Sequence, residues 1–133
     1  MEDLTVPISK IPEALKRIQR IPERVGNLIR VATFGHAGDG NLHPTFLYDE
    51  RIPEQRDAFF EALNIVYNEV ALDLGGSITG EHGVGLIRKP FIEKEHGPVE
   101  MTLMRGIKRV FDPYNILNPG KGKPWGYAGE PLR

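Results

Sequence analysis

Cysteine is absent from the 133 residues. That excludes disulfides, thiolate-bound zinc, iron–sulfur clusters and a cysteine nucleophile, and leaves nitrogen and oxygen as the metal donors. Long apolar runs are missing too. Nothing approaches the roughly 20 residues of a membrane span, and the N-terminal MEDLTVPISK has no signal-peptide core, so a cytoplasmic location is the expectation. Neither sign of charge dominates, with 17 Lys and Arg against 18 Asp and Glu. With no basic block interleaved with aromatics, nucleic acid and anionic membrane surfaces are not expected partners. No internal repeat or low-complexity tract is present. The length suits one domain with a buried core. Met1-Glu2-Asp3 runs almost at once into a strand-like segment, which suggests a piece of a longer protein rather than a natural beginning.

What is present reads as alternating short strands and helices. Leu4 to Pro7 is β-like. Ser9 can cap a helix with Pro12 in its first turn, where Ile11, Leu15 and Ile18 recur at helical spacing until Pro22. Leu28 to Phe34 and Leu42 to Tyr48 are two strand-like runs around Asp39-Gly40, a pair that favours a two-residue hairpin turn with positive φ at both positions. Pro53 opens a helix whose apolar stripe is Phe59, Ala62, Leu63, Val66 and Val70, and Gly75-Gly76 can end it. Ser77 to Thr79 supplies a sixth, short strand. The order β-α-β-β-α-β predicts an α+β fold, a ferredoxin-like sandwich with helices on one face of an antiparallel sheet. Glu93 to Gly97 is polar, and Val99 to Phe111 reads as an amphipathic helix through Leu103, Met104, Ile107 and Val110. Residues 1–111 are therefore expected to form the domain, and 112–133, rich in proline and glycine, an irregular tail.

The stretch GHAGDGNLHP, from Gly35 to Pro44, sets two histidines around a turn. A two-residue loop at Asp39-Gly40 places His36 opposite His43, with Cβ atoms about 4.5–5.5 Å apart. Such a pair either packs against itself or converges on an ion, and a ligand set needs a third donor. Thr79-Gly80-Glu81-His82-Gly83 offers one in Glu81, although a glycine-rich turn with solvated side chains accounts for it as well. Two histidines and a carboxylate with open positions suit Zn, Mn or Fe. His82 would then serve as a base, imidazole having an ordinary pKa of about 6.5. The glycines do not follow a dinucleotide or phosphate-loop pattern. His96 reads as a solvated helix end. Arg88-Lys89 reads as a solvated face that could take an anion.

Three segments in order, GHAGDGNLH, TGEHGVGLIRKPFI and FDPYNILNPGK, resemble the carboxy-terminal part of FAD-linked oxidases of the vanillyl-alcohol oxidase and p-cresol methylhydroxylase superfamily. The likeness is greatest to the glycolate oxidase D subunit branch, with D-lactate and D-2-hydroxyglutarate dehydrogenases close by. The resemblance implies a flavoprotein oxidoreductase that takes a 2-hydroxy acid to a 2-oxo acid and passes two electrons to FAD. It further implies that His36, His43 and Glu81 are ligands of a divalent metal, that His82 is the general base, and that Asn118 lies where the chain returns toward the flavin. Thr45 stands where the hydroxyglutarate branch has a substrate-holding asparagine, which leaves glycolate or D-lactate more open. The region that binds most of the FAD has no counterpart here, so the isolated chain is expected to be inactive. Other glycolate-oxidase-type subunits are implied as partners, and a severed domain leaves apolar area that favours a homodimer. Two rival readings stay open: a non-catalytic ferredoxin-like binding or oligomerisation module with structural histidines, and a flavin-independent metalloenzyme using the same three ligands.

Overall fold

The computed structural model describes residues 1–119; Gly120, Lys121 and the rest of the expected tail lie outside them. The chain divides into two compact units, Met1–His82 and a second beginning at Gly83. The first holds strand β1 (Leu4–Thr5), helices α1 (Ile11–Gln19) and α2 (Ile21–Arg24), strands β2 (Arg30–His36) and β3 (Asn41–Leu47), and helix α3 (Pro53–Asn64), which continues as a π-helix over Ile65–Leu72. The three strands form an antiparallel sheet in the order β1-β3-β2. Ser77 adds a single bridge to the free side of Thr5, so the returning chain takes a fourth place beside β1, as a ferredoxin-like α+β layout requires.

Alternation assigns the two faces of the sheet. Leu4, Leu42 and Phe46 are buried on the helix side, where the Phe46 and Phe59 rings meet at 6.1 Å. All five residues of the expected α3 stripe are buried, along with Ala14 and Ile18 of α1. Each large apolar side chain removed from water contributes about 1.5–3 kcal/mol. Asn41, His43 and Thr45 point to the opposite face, with Phe34 paired to His43 and Ala32 to Thr45.

Several local expectations are corrected. Ser9 is not the helix cap: it lies in a 3-10 turn (Ile8–Lys10), and Lys10 occupies the cap position without a side-chain bond. Of the expected α1 stripe Ile18 is buried as expected, whereas Ile11 and Leu15 are only half-buried and Ala14 joins Ile18 in the core. The hairpin has a four-residue loop, with register His36↔Asn41 and Phe34↔His43. Gly40 takes positive φ at +82°, whereas Asp39 keeps negative φ and accepts the Asn41 N–H on its carboxylate at 3.2 Å. A side chain that can cap the turn removes the need for a second left-handed residue. The shift amounts to two residues, so His36 and His43 keep a common face as diagonal neighbours.

The sixth strand shrinks to the Ser77 bridge. Ser77 Oγ donates to the Thr79 carbonyl at 3.0 Å, and the N–H groups that follow turn to the Asp3 carboxylate rather than to a strand. In the second unit, the polar stretch folds into a short helix α4 (Ile92–Glu95), followed by α5 (Pro98–Phe111) with proline in its first turn. Of the α5 apolar residues Met101 is buried, while Leu103, Ile107 and Val110 are exposed.

Candidate metal centre

His36 ends β2 and His43 lies near the start of β3, so the hairpin presents both imidazoles on the sheet face away from the helices. Their ring centroids stand 5.5 Å apart, edge to face. Glu81 arrives from the segment after the Ser77 bridge. Its Oε1 lies 3.1 Å from His43 Nε2 and 3.4 Å from His36 Nε2. One ligand atom from each of the three residues falls within 4.8 Å of the others.

These donors fit a small divalent ion. Two ligand atoms each ~2.05 Å from one ion at the tetrahedral angle stand ~3.3 Å apart, which matches the oxygen–nitrogen separations. The tautomer agrees. His43 Nδ1 faces the Glu2 carbonyl at 3.3 Å, with the Asp3 carboxylate at 3.7 Å, surroundings that favour a proton on Nδ1. Nε2 then faces the Glu81 oxygen at 3.1 Å, a contact that either a ring proton or a bound cation would bridge.

His82 stacks on His43, with centroids 5.0 Å apart and rings 15° from parallel. Its Nε2 lies 3.7 Å from Glu81 Oε1, at the margin of the three-ligand set. Asp3, His43 and His82 form a second possible ligand group, but the Asp3 oxygens are already occupied by hydrogen bonds. The four histidine and glutamate positions singled out in the sequence thus come together within one unit. Asn118 belongs to the other unit, exposed and with left-handed backbone at φ +50°.

Sequence reasoning missed the support beneath this cluster. Asp3 is fully buried. Burial alone would raise its pKa, but bonds from Thr79 Oγ1, the His82 N–H, the Asn41 amide and the Gly80 N–H outweigh that and hold the carboxyl far below the usual range. Glu2 is also buried and accepts from Tyr67 Oη at 2.5 Å. An acidic pair leading into an apolar strand was the available signal, yet only the β1–β3 pairing brings it beside His43. Glycine permits the approach: a Cβ at Gly80 would lie 1.8 Å from Asn41 Nδ2. Arg88 and Lys89, expected on a solvated face, are both buried, and Arg88 Nη1 donates to the Gly83 carbonyl at 2.9 Å. His96 caps α4 and is half-buried.

Residues 1–122 match the family described as FAD linked oxidases, C-terminal domain. The glycolate oxidase subunit GlcD of Bacillus subtilis (strain 168) is 45% identical over 121 residues, covering 91% of this chain and 25% of the relative. A D-lactate dehydrogenase of Anaerostipes hadrus is 39% identical over 90% of this chain and 25% of the relative. A D-2-hydroxyglutarate dehydrogenase of Stutzerimonas stutzeri (strain A1501) is 37% identical over 90% of this chain and 26% of the relative. The chain thus spans about a quarter of the length of these relatives. Among the described residues, no helix is long and apolar enough to cross a membrane.

Proposed function

The chain belongs to the family of FAD-linked oxidase C-terminal domains, and from that premise we propose that it is the metal- and base-bearing part of an FAD-dependent oxidoreductase acting on a small 2-hydroxy acid. The observation that carries this reading is the convergence of His36, His43 and Glu81, with His82 stacked alongside. His36 and His43 would hold a divalent ion through their Nε2 atoms and Glu81 through a carboxylate oxygen. Bound there, such an ion would supply Lewis acidity toward the substrate hydroxyl and fix its orientation. His82 would accept the hydroxyl proton at its free imidazole nitrogen, and its stacking on His43 sets the direction of that nitrogen. The flavin, held mostly by sequence beyond this chain with Asn118 nearby, would supply the two-electron acceptor.

Thr45 refines the substrate. It sits half-buried on the site face, two residues after His43 and paired with Ala32. A hydroxyl there offers less reach toward a distal carboxylate than an amide, which favours glycolate or D-lactate. In this reading the enzyme is cytoplasmic, residues 1–111 form its substrate-side portion, and other glycolate-oxidase-type subunits are its natural partners.

The test uses the chain joined to the FAD-binding region of the full-length enzyme. Flavin bleaching by glycolate and D-lactate under anaerobic single-turnover conditions should slow about 10²–10⁴-fold in His82→Gln. An unchanged bleaching rate in that variant contradicts the assignment.

A further inference from the structure

Asp3 stands in the wall of the metal centre without entering the three-ligand set. The β1–β3 register, Leu4 with Leu42 and Thr5 with Asn41, extends one step to set Asp3 across from His43. The Glu2 N–H donates to the Pro44 carbonyl at 2.8 Å and carries the ladder past it. The two oxygens of Asp3 serve different segments. Oδ2 accepts from Thr79 Oγ1 at 2.7 Å and from the N–H groups of Gly80, Glu81 and His82 at 2.7, 3.0 and 2.9 Å. Oδ1 accepts from Asn41 Nδ2 at 2.7 Å and stands 3.7 Å from His43 Nδ1.

One buried carboxylate therefore grips the backbone beneath Glu81 and His82 and also the hairpin that carries His36 and His43. Desolvating a carboxylate is expensive, and a turn can satisfy its N–H groups with carbonyls or water at far lower cost. Here the charge is applied to the two residues whose side chains must meet the hairpin histidines.

We propose that Asp3 is the positioning residue of this centre, fixing the separation between the hairpin histidines and the Glu81-His82 pair and so setting the coordination geometry without binding the ion. The inference rests on the metal reading of His36, His43 and Glu81. The chain is titrated calorimetrically with Zn²⁺ and Mn²⁺, and its Co²⁺ complex is read by visible absorption, for wild type, Asp3→Asn, Thr79→Val and His36→Ala, each checked for native far-UV circular dichroism. Asp3→Asn should weaken binding about 10–100-fold and shift the Co²⁺ bands at saturating metal, a change that a purely stabilising role would not produce. Thr79→Val, which deletes one donor to Oδ2 while keeping its shape, should weaken binding several-fold. His36→Ala should abolish it. Wild-type affinity and Co²⁺ bands in Asp3→Asn, or in Thr79→Val should Asp3→Asn not fold, overturn the role of Asp3 while loss in His36→Ala preserves the metal reading. Wild-type affinity in His36→Ala overturns both.

Discussion

Glu81 and Asp3 are both carboxylates beside His43, yet their surroundings divide their tasks. Glu81 is half-exposed and directs one oxygen at two imidazoles. Asp3 is sealed from solvent and surrounded by donors. The pH consequence belongs to Asp3. Its folded-state pKa is depressed, so its stabilisation is complete above the unfolded value of about 3.9 and is lost as pH falls toward the folded value. Urea midpoints of the wild-type chain should therefore decline below about pH 4. In Asp3→Asn the decline should be shallower, from a starting stability at pH 7 lower by about 3 kcal/mol, because the amide places N–H groups against N–H groups. Equal midpoints for the two proteins at pH 7 would contradict this. The approach of His36, His43 and Glu81 to one another, with His82 alongside, was legible in the two glycine-rich stretches GHAGDGNLH and TGEHGVG. Asp3 was not, since its importance depends on a pairing between residues about forty positions apart.

At the level of elements, hydrophobic periodicity located α3 and its stripe correctly, because a buried helix leaves its pattern in the local sequence. The hairpin was legible in kind but not in register. Asp39-Gly40 announced a turn, and the Asp39 side chain then decided its length by capping the Asn41 N–H. Gly40 is fixed by two independent constraints, a φ of +82° and a Val6 carbonyl 2.0 Å from where a Cβ would sit. Gly40→Ala should accordingly cost well over ~1 kcal/mol, read as a lower thermal midpoint, whereas Gly38→Ala, which meets open space, should be far milder. Phe59→Ala removes the ring packed on Phe46 and Tyr48 and should cost about 3–5 kcal/mol, measurable by urea unfolding. The α5 stripe shows where periodicity falls short. Leu103, Ile107 and Val110 keep helical spacing and are nevertheless exposed, since an amphipathic pattern states that a face requires cover but not which surface provides it.

For the whole molecule, the resemblance carried by three short segments agrees with the family match over residues 1–122, while the chain represents about a quarter of the relatives it matches. In the proposed reading a metal-binding and proton-accepting cluster lies in this quarter and the flavin site largely elsewhere. The purified chain mixed with FAD should show neither stoichiometric retention after gel filtration nor oxidation of glycolate or D-lactate, and its joined form should show both. Ion binding needs no flavin, so it offers the most direct test of the central claim. Equilibrium dialysis of the chain against Zn²⁺, Mn²⁺ or Fe²⁺, followed by elemental analysis, should find one ion per chain in wild type and none in folded Glu81→Ala or His43→Ala. No retained ion in wild type, or equal retention in those variants, would contradict the account.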